Sequence, residues 1–526
     1  MIALLLCIPG RAEETTRRTV ADETEVSATA RQRMIGLIDR ALSDAWNTAG
    51  VRPAATIADH EFMRRACLDF TGVIPRTSQL RSFLVDERPE KRQQLLERLA
   101  TSPRCSTHLA TVWRNRILPA GAEEAHPRES VGLQKWLRSR FARNLRYDAL
   151  VAGLLLATGS EELGPALYYQ ANDLLPEKLA ASVSDVFLGM KLQCAQCHDH
   201  PFAEYSQRDF WGLAAFFAQV QTPEAGNMEM SFRLIDTNRG EVRLPDTEEL
   251  VTPKYLKVNR QVDESMGSRR ASLVLWLTSR DNPYFARAAV NWAWAHFFGN
   301  GLVDTLDQVG DSSDAINNRL LDDLADYFVD TGFDLHELML TIAGTHAYQL
   351  SSWQRVPADA DPHLFAYVLP RPLTPEQLYD SFVLLSPPVS VDSNRSIGAS
   401  APQQIARDGG LLRMQFIRQM REPPGNPTEY RAGTMQALML MNGTVTSELT
   451  TFDRSRIVGA LTAPFLDDDD RIATLFLAAL SRLPTEAEVT LAQATLESSQ
   501  SDDDRDRVLS DLLWAMVNST EFAFNR

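Results

Sequence analysis

Apolar residues recur every three or four positions along most of the chain, which is the period of an amphipathic helix. In residues 28–48 this stripe consists of Met34, Ile38, Ala41 and Ala45. The same pattern predicts further helices at about 77–86, 89–101, 105–116, 269–278, 316–330 and 334–346, and two more within 129–158 that are separated near Asn144. The chain is therefore predicted to be mainly α-helical.

Several predicted helix boundaries are marked by residues with a clear conformational preference. Gly72 permits a left-handed turn at the end of one helix, and Pro176 suits the first turn of a long one. Ser206 can cap the next helix, with Asp209 in its first turn, where the helix dipole favours a negative charge.

Helical periodicity is lost between residues 221 and 266, where 229–236 and 241–244 are predicted to be short strands. The interruption indicates a domain boundary. We predict two helical domains, residues 28–220 and 267–526, with a small β insert at 221–266 between them. Residues 387–432 are rich in Ser, Pro, Gly and Arg and are predicted to be a long loop.

Residues 1–27 are predicted to be a truncated export signal followed by a linker. Residues 2–8 are apolar, and Gly10-Arg11-Ala12 resembles a small-x-small cleavage site, although no basic segment precedes the apolar run. No later stretch holds about 18 consecutive apolar residues, so no transmembrane segment is predicted. The expected location is the periplasm or the cell surface.

Composition, charge and the absence of common motifs argue against several classes of function. The 526 residues are 44% hydrophobic and 23% charged, as in ordinary globular proteins. The net charge of −16 argues against nucleic acid and anionic membranes as partners, since both require a basic surface. The acidic runs 467–470 and 502–504 precede helices and are interpreted as cap residues, and no common phosphate-loop, hydrolase or metalloprotease motif is present. No catalytic residue is assigned.

The run from Cys194 to His200 is the strongest chemical signal. It reads Cys-Ala-Gln-Cys-His-Asp-His and holds two of the five cysteines and two of the nine histidines. Cys-x-x-Cys-His is the attachment signature of c-type haem. Cys194 and Cys197 would form thioethers to the porphyrin, and His198 would be the proximal iron ligand.

Two other interpretations of this run stay open. In a zinc site, Cys194 and Cys197 would supply two ligands and His198 or His200 a third, but the chain lacks a second Cys-x-x-Cys for the remainder. In the third interpretation the two cysteines form a disulfide or stay free, and no cofactor binds. Cys67 and Cys105 are also candidates for a disulfide, or for separate burial.

The predicted helices place the run in a helix–loop–helix corner. We expect Cys194, Cys197 and His198 to face a cavity lined by the flanking helices. Met190 and His200 are the nearby candidates for a distal ligand, both poorly placed along the chain. The expected walls are aromatic and would suit a macrocycle or an ordinary core: Phe202, Phe210, Trp211, Phe216 and Phe217.

Longer motifs are spread over nearly the whole chain: 65–72, 188–202, 209–217, 282–287, 298–303, 347–352, 373–378 and 518–522. They resemble a planctomycete-type exported family built from two domains of unknown function, a cytochrome-like Cys-x-x-Cys-His domain and its partner C-terminal domain. The resemblance implies export and an association with cytochrome c, and it assigns no reaction. Trp292 and the stretch 314–317 depart from the family pattern.

These observations predict a periplasmic c-type haem-like protein with a role in electron transfer or another redox process. A redox partner protein or a cell-surface complex is the expected partner. The alternative is a non-haem binding or scaffold protein of the cell surface, with a structural metal or a disulfide at Cys194 and Cys197.

Overall fold

The computed structural model describes residues 10–158, 164–199, 205–222, 233–237, 239–258, 262, 267–304, 306, 312–352, 361–385, 412–421, 434–452 and 455–526. In this part of the chain helices dominate and the strands are short, so the predicted mainly α fold is confirmed. None of the described helices has the length and apolar character needed to span a bilayer.

Helices α1–α11 precede the strands of the β insert. Their bounds are α1 Gly10–Ala49, α2 Asp59–Thr71, α3 Thr77–Leu84, α4 Lys91–Ala100, α5 Pro103–Ile117, α6 Ala122–Ala125, α7 Pro127–Ala142, α8 Tyr147–Leu155, α9 Leu167–Ala171, α10 Pro176–Leu188 and α11 Gln207–Ala214. A 3₁₀ helix, Leu192–Gln196, lies between α10 and α11.

Four two-residue strands form two antiparallel pairs between α11 and α12. Strand β1 (Val220–Gln221) pairs with β2 (Ile235–Asp236), and β3 (Val242–Arg243) pairs with β4 (Leu250–Val251). Both predicted strand regions therefore contain a strand, although residues 229–232 lie outside the described part of the chain.

Helices α12–α24 form the rest of the chain. Their bounds are α12 Arg269–Leu277, α13 Phe285–Phe298, α14 Ser312–Asp330, α15 Leu335–Ala343, α16 Pro375–Leu385, α17 412–420, α18 Thr434–Asn442, α19 Thr444–Thr450, α20 Arg456–Leu461, α21 Asp468–Ala479, α22 Glu486–Glu497, α23 Asp502–Val517 and α24 Thr520–Ala523. Further 3₁₀ helices cover Ala347–Gln349 and Pro362–Leu364. Strands β5 (Arg371–Pro372) and β6 (Phe524–Asn525) pair antiparallel.

Helix α17 lies inside the stretch predicted to be a loop, so that prediction is wrong for residues 412–420. The helix forms because Phe416 and Met420, four residues apart, are both buried in the core formed by the C-terminal helices. The loop was predicted because the surrounding sequence is rich in Ser, Pro and Gly and this apolar stripe is short.

Helix ends follow the local chemistry that the sequence indicates. Gly72 has a φ of 69° and ends α2 in the left-handed region, where a Cβ atom would also lie 2.4 Å from Nδ1 of His108. Ser206 and Asp209 form a reciprocal capping box at α11: Asp209 N–H donates to Ser206 Oγ (3.2 Å), and Ser206 N–H donates to Asp209 Oδ2 (2.9 Å).

The buried apolar side chains form two clusters. The larger runs from Ile38 to Val368 and includes Leu477, so it continues through the β insert and joins the helices on both sides of it. The smaller is built mainly from residues 373–522, and Leu68 and Ile74 of the α2 region also belong to it. Helix α2 therefore contributes to both clusters.

A buried polar network centred on Asp69 connects α2 to distant segments. Asp69 is 2% exposed. Its Oδ1 accepts hydrogen bonds from Arg371 Nη2 (2.8 Å) and Asn525 Nδ2 (2.7 Å), and its Oδ2 accepts one from Tyr348 OH (2.8 Å). The fully buried Arg65 donates to the carbonyls of Leu350 (2.9 Å), Arg526 (3.0 Å) and Tyr348. These bonds attach strands β5 and β6 to α2.

Cys67 and Cys105 are buried free thiols. Burial raises the pKa of each thiol to about 12, which keeps both sulfurs protonated and unreactive. Of the two possibilities left open by the sequence, the structure shows separate burial.

A pair of buried histidines makes stability depend on pH. The rings of His108 and His296 lie 5.9 Å apart, and His108 Nε2 has no hydrogen-bond partner among the residues that the structure describes. Burial, followed by the nearby His296, lowers the pKa of His108 to about 3. Below pH 6.5 the unfolded chain binds a proton that the folded chain excludes, so stability falls as the pH falls toward 3.

We therefore expect a His108→Gln variant to show a shallower loss of stability in acid. The slope of the unfolding free energy between pH 6 and pH 4.5 should decrease by up to about 1.4 kcal/mol per pH unit. Urea denaturation at several pH values measures it. Equal slopes in the His108 variant and the wild type would contradict the assignment.

Candidate cofactor site

The Cys-x-x-Cys-His run occupies the corner between α10 and α11. Helix α10 ends at Gly189, which has a φ of 66°, and the N–H of Met190 bonds back to the carbonyl of Ser184 (2.8 Å). The 3₁₀ helix Leu192–Gln196 then carries Cys194, and Cys197 and His198 follow in the turn after it. The predicted helix–loop–helix corner is therefore present.

The turn presents its reactive side chains to solvent. Leu192 and Ala195 are fully buried and anchor the 3₁₀ helix to the core, whereas Cys194, Cys197 and His198 are exposed. Both cysteines are free thiols, so the structure does not show the disulfide of the third interpretation. Two free thiols and an imidazole thus lie on the outer side of one anchored turn.

Helix α11 holds this turn through two residues on the same helical face. Gln207 Nε2 donates to the carbonyls of Gln196 (3.2 Å) and Cys197 (3.1 Å), and Trp211 Nε1 donates to the Gln196 carbonyl (3.0 Å). The Gln207 N–H also donates to Asp199 Oδ1 (2.8 Å). These bonds fix the backbone on both sides of Cys197 and leave its thiol exposed.

Gln207 was not identified as a site residue from the sequence, and Trp211 was expected only as an aromatic wall. The available signal was their spacing: residues i and i+4 share a face of α11, the helix that directly follows the motif.

His198 has a defined ring environment on one side. Its Nδ1 lies 2.7 Å from the carbonyl oxygen of Asp199, which requires Nδ1 to carry the proton and donate. The lone pair is then on Nε2, and the described residues provide no partner for that atom. An anchored Nδ1–H with an open Nε2 is the arrangement that histidine ligands of metals usually adopt.

The predicted aromatic walls belong to the core beneath the corner. Phe210, Phe216 and Phe217 are fully or almost fully buried, Phe216 packs on Tyr255 at 5.1 Å, and Trp211 is 9% exposed. These aromatic side chains turn inward while the cysteines turn outward, so the described residues do not show the expected cavity, and that cavity stays a prediction. Phe202 lies outside the described part of the chain.

The structure describes only one of the two residues suggested as distal ligands, Met190 and His200. Met190 is completely buried, and its Sδ accepts a hydrogen bond from Tyr205 OH (3.3 Å), so this sulfur is a core atom that does not reach an exposed iron. His200 lies outside the described residues, and its role stays a prediction. Among the residues that are described, no three His, Cys, Asp or Glu side chains are grouped to hold a metal ion.

The donor set nevertheless fits a covalently attached haem. Thioether formation requires two accessible thiols at this spacing, and axial ligation requires an imidazole nitrogen without another partner. Cys194, Cys197 and His198 satisfy these requirements. The group would lie on the protein surface at this corner, because the chain's own aromatic residues fill the core below it.

The fold and this corner define a mainly helical protein with a surface Cys-x-x-Cys-His turn. Residues 37–222 match the family PSCyt2, described as a protein of unknown function (DUF1549), and residues 269–496 match PSD1, a protein of unknown function (DUF1553). The two matches together cover well over half of the chain, which therefore belongs to the family that joins these two domains in this order. No curated protein and no solved structure matches the chain.

Proposed function

We propose that this protein is an exported c-type haem protein that serves electron transfer or another redox process in the periplasm or at the cell surface. One observation carries the proposal. Two free, exposed thiols and an imidazole with an anchored Nδ1 lie on one hydrogen-bonded turn, in the order Cys-x-x-Cys-His.

Each residue of the corner has a distinct part in this proposal. Cys194 and Cys197 would attach the haem, and His198 Nε2 would be its axial ligand. The Asp199 carbonyl orients the His198 ring, and Gln207 and Trp211 hold the turn in place. When bound, the haem iron would supply one-electron redox chemistry.

The compartment is part of the proposal. Covalent attachment of this kind takes place outside the cytoplasm, in agreement with the apolar segment at residues 2–8. The expected partner is a redox protein or a cell-surface complex.

The proposal is tested by exporting the protein in cells that carry a haem-attachment system. We expect the wild type to retain haem after denaturation and the Cys194→Ser/Cys197→Ser variant to retain none. His198→Ala should keep attached haem but show a shifted absorbance spectrum, because it loses only the axial ligand. His346→Ala, an exposed histidine whose ring lies beside Trp46 of α1, is the control and should match the wild type.

A haem-free wild-type protein would overturn the proposal. In that case, one equivalent of zinc that is lost in the double cysteine variant would support the alternative, a surface binding or scaffold protein with a structural metal at Cys194 and Cys197. A Cys194–Cys197 disulfide in the exported protein would support the same alternative without a metal.

A further inference from the structure

A cavity of about 220 Å³ lies where α1, α2 and α4 meet α15, far from the cysteine corner in sequence. The apolar part of its lining consists of Ile35, Phe62, Leu96, Leu340 and Ala343, of which Phe62, Leu96 and Ala343 are buried. Its mouth is polar, and Gln32, Glu90 and Gln93 are exposed there. The cavity is smaller than sites for drug-sized ligands, so it has room for only a single small ring or chain.

The two arginines in the wall are already neutralised. Arg31 donates to both carboxylate oxygens of Glu337 (2.9 and 2.6 Å) and to Glu97 (3.1 Å). Arg92 donates to Asp59 Oδ1 (2.8 Å) and to Gln349 Oε1 (2.8 Å). A further carboxylate, Glu90, stands at the mouth. An anion therefore gains little from these arginines, while an organic cation would lie against two guanidinium groups.

The polar lining groups that are left for a ligand include both hydrogen-bond donors and hydrogen-bond acceptors. Glu97 Oε1 accepts from Arg31 and Gln93, while Glu97 Oε2 and Gln93 Oε1 have no partner in the described part of the chain. Gln349 uses its oxygen for Arg92, so its amide N–H groups remain as donors. An aromatic ligand has no open ring to stack on, because Arg92 lies 4.7 Å over the ring of Phe62.

We propose that this cavity binds one sugar ring of hexose size. Sugar hydroxyl groups both donate and accept hydrogen bonds, which matches the donors and acceptors that the described residues leave without a partner at the cavity. The C–H face of the ring can pack against the apolar lining residues. Lining residues come from both matched domains, Phe62 to Glu97 on one side and Leu340 to Gln349 on the other, and residues of α1 that precede the first match complete the wall. The inference is independent of haem attachment.

The test uses the full-length protein and a panel of D-glucose, D-galactose, D-mannose, L-fucose and N-acetyl-D-glucosamine, with sulfate and putrescine as an anion and a cation. Saturation-transfer NMR followed by titration gives the affinities. At least one sugar should bind with a Kd on the order of a few millimolar, as expected for a ligand of this size.

Two variants locate the site. Gln93→Trp places a large ring across the mouth from an exposed position on α4 and should weaken sugar binding at least tenfold. Arg98→Trp adds the same ring to an exposed position of α4 that does not line the cavity and should leave binding unchanged. Circular dichroism confirms that both variants are folded.

Three results would overturn the proposal. The first is that every sugar in the panel has a Kd above about 50 mM. The second is equal sugar binding by Gln93→Trp and the wild type. The third is that sulfate or putrescine binds more tightly than every sugar.

Discussion

Replacing Asp69 with alanine is expected to lower the free energy of unfolding by about 3–5 kcal/mol, the range for removing one partner of a buried ion pair. Asp69 is 2% exposed and accepts side-chain hydrogen bonds from Arg371, Asn525 and Tyr348. Its removal leaves the buried Tyr348 and Asn525 and the partly buried Arg371 without this acceptor, and Arg371 loses its ion-pair partner. Asp69→Asn should cost less, because the amide oxygen can still accept.

Urea denaturation followed by circular dichroism measures this effect. The control is Asp330→Ala, which removes an aspartate whose ion pair with Arg280 is exposed and is worth about 0–1 kcal/mol. A loss below about 1 kcal/mol for Asp69→Ala would show that the network does not hold α2 to strands β5 and β6.

Replacing Arg270 with leucine is expected to cost about 3–5 kcal/mol for the same physical reason. Arg270 is 1% exposed and donates to both carboxylate oxygens of Asp236 (2.8 and 2.6 Å). It also donates to the carbonyls of Leu155 (3.2 Å) and Ala157 (3.0 Å). One side chain thus joins α12 to β2 of the insert and to the end of α8.

The Arg270 variant should also loosen the β insert locally. Limited proteolysis is expected to cut near residues 221–266 faster than in the wild type, because Asp236 loses its partner. Arg280→Leu removes the exposed arginine of the Asp330 pair and should change neither stability beyond about 1 kcal/mol nor the cleavage rate. Identical cleavage in the Arg270 variant and the wild type would contradict this role.

Local features of the fold could be predicted from the sequence because their causes are local. Gly72, Pro176 and the Ser206–Asp209 pair mark helix ends through their own backbone preferences or short-range bonds. The loss of periodicity after residue 220 likewise marked the β insert. The sequence did not predict helix α17, because the helix is stabilised by the burial of Phe416 and Met420 against other segments of the chain.

The long-range features could not be predicted for a related reason. Asp69 and Asn525 are 456 positions apart, and no pattern within either segment indicates the bond between them. Arg65 and Arg270 look like ordinary helix-surface arginines in the sequence, yet both are buried. The joining of helices on both sides of the insert into one apolar cluster is likewise a tertiary property.

The candidate site shows the same division. Cys-x-x-Cys-His is a short motif, so the sequence alone is sufficient to select Cys194, Cys197 and His198 as candidate site residues. Their exposure depends on which face of the 3₁₀ helix packs on the core, and burial of Leu192 and Ala195 decides it. The turn's attachment to Gln207 and Trp211 depends on how α11 packs back onto it.

Under the proposed function, Cys194 and Cys197 carry a covalently bound haem. Intact-mass measurement of the denatured wild-type protein, exported together with a known c-type cytochrome in the same cells, tests it most directly. We expect a mass equal to the processed chain plus one haem, with both thiols closed to alkylation. A chain without added mass and with two alkylatable thiols, obtained while the accompanying cytochrome is fully loaded, would contradict it.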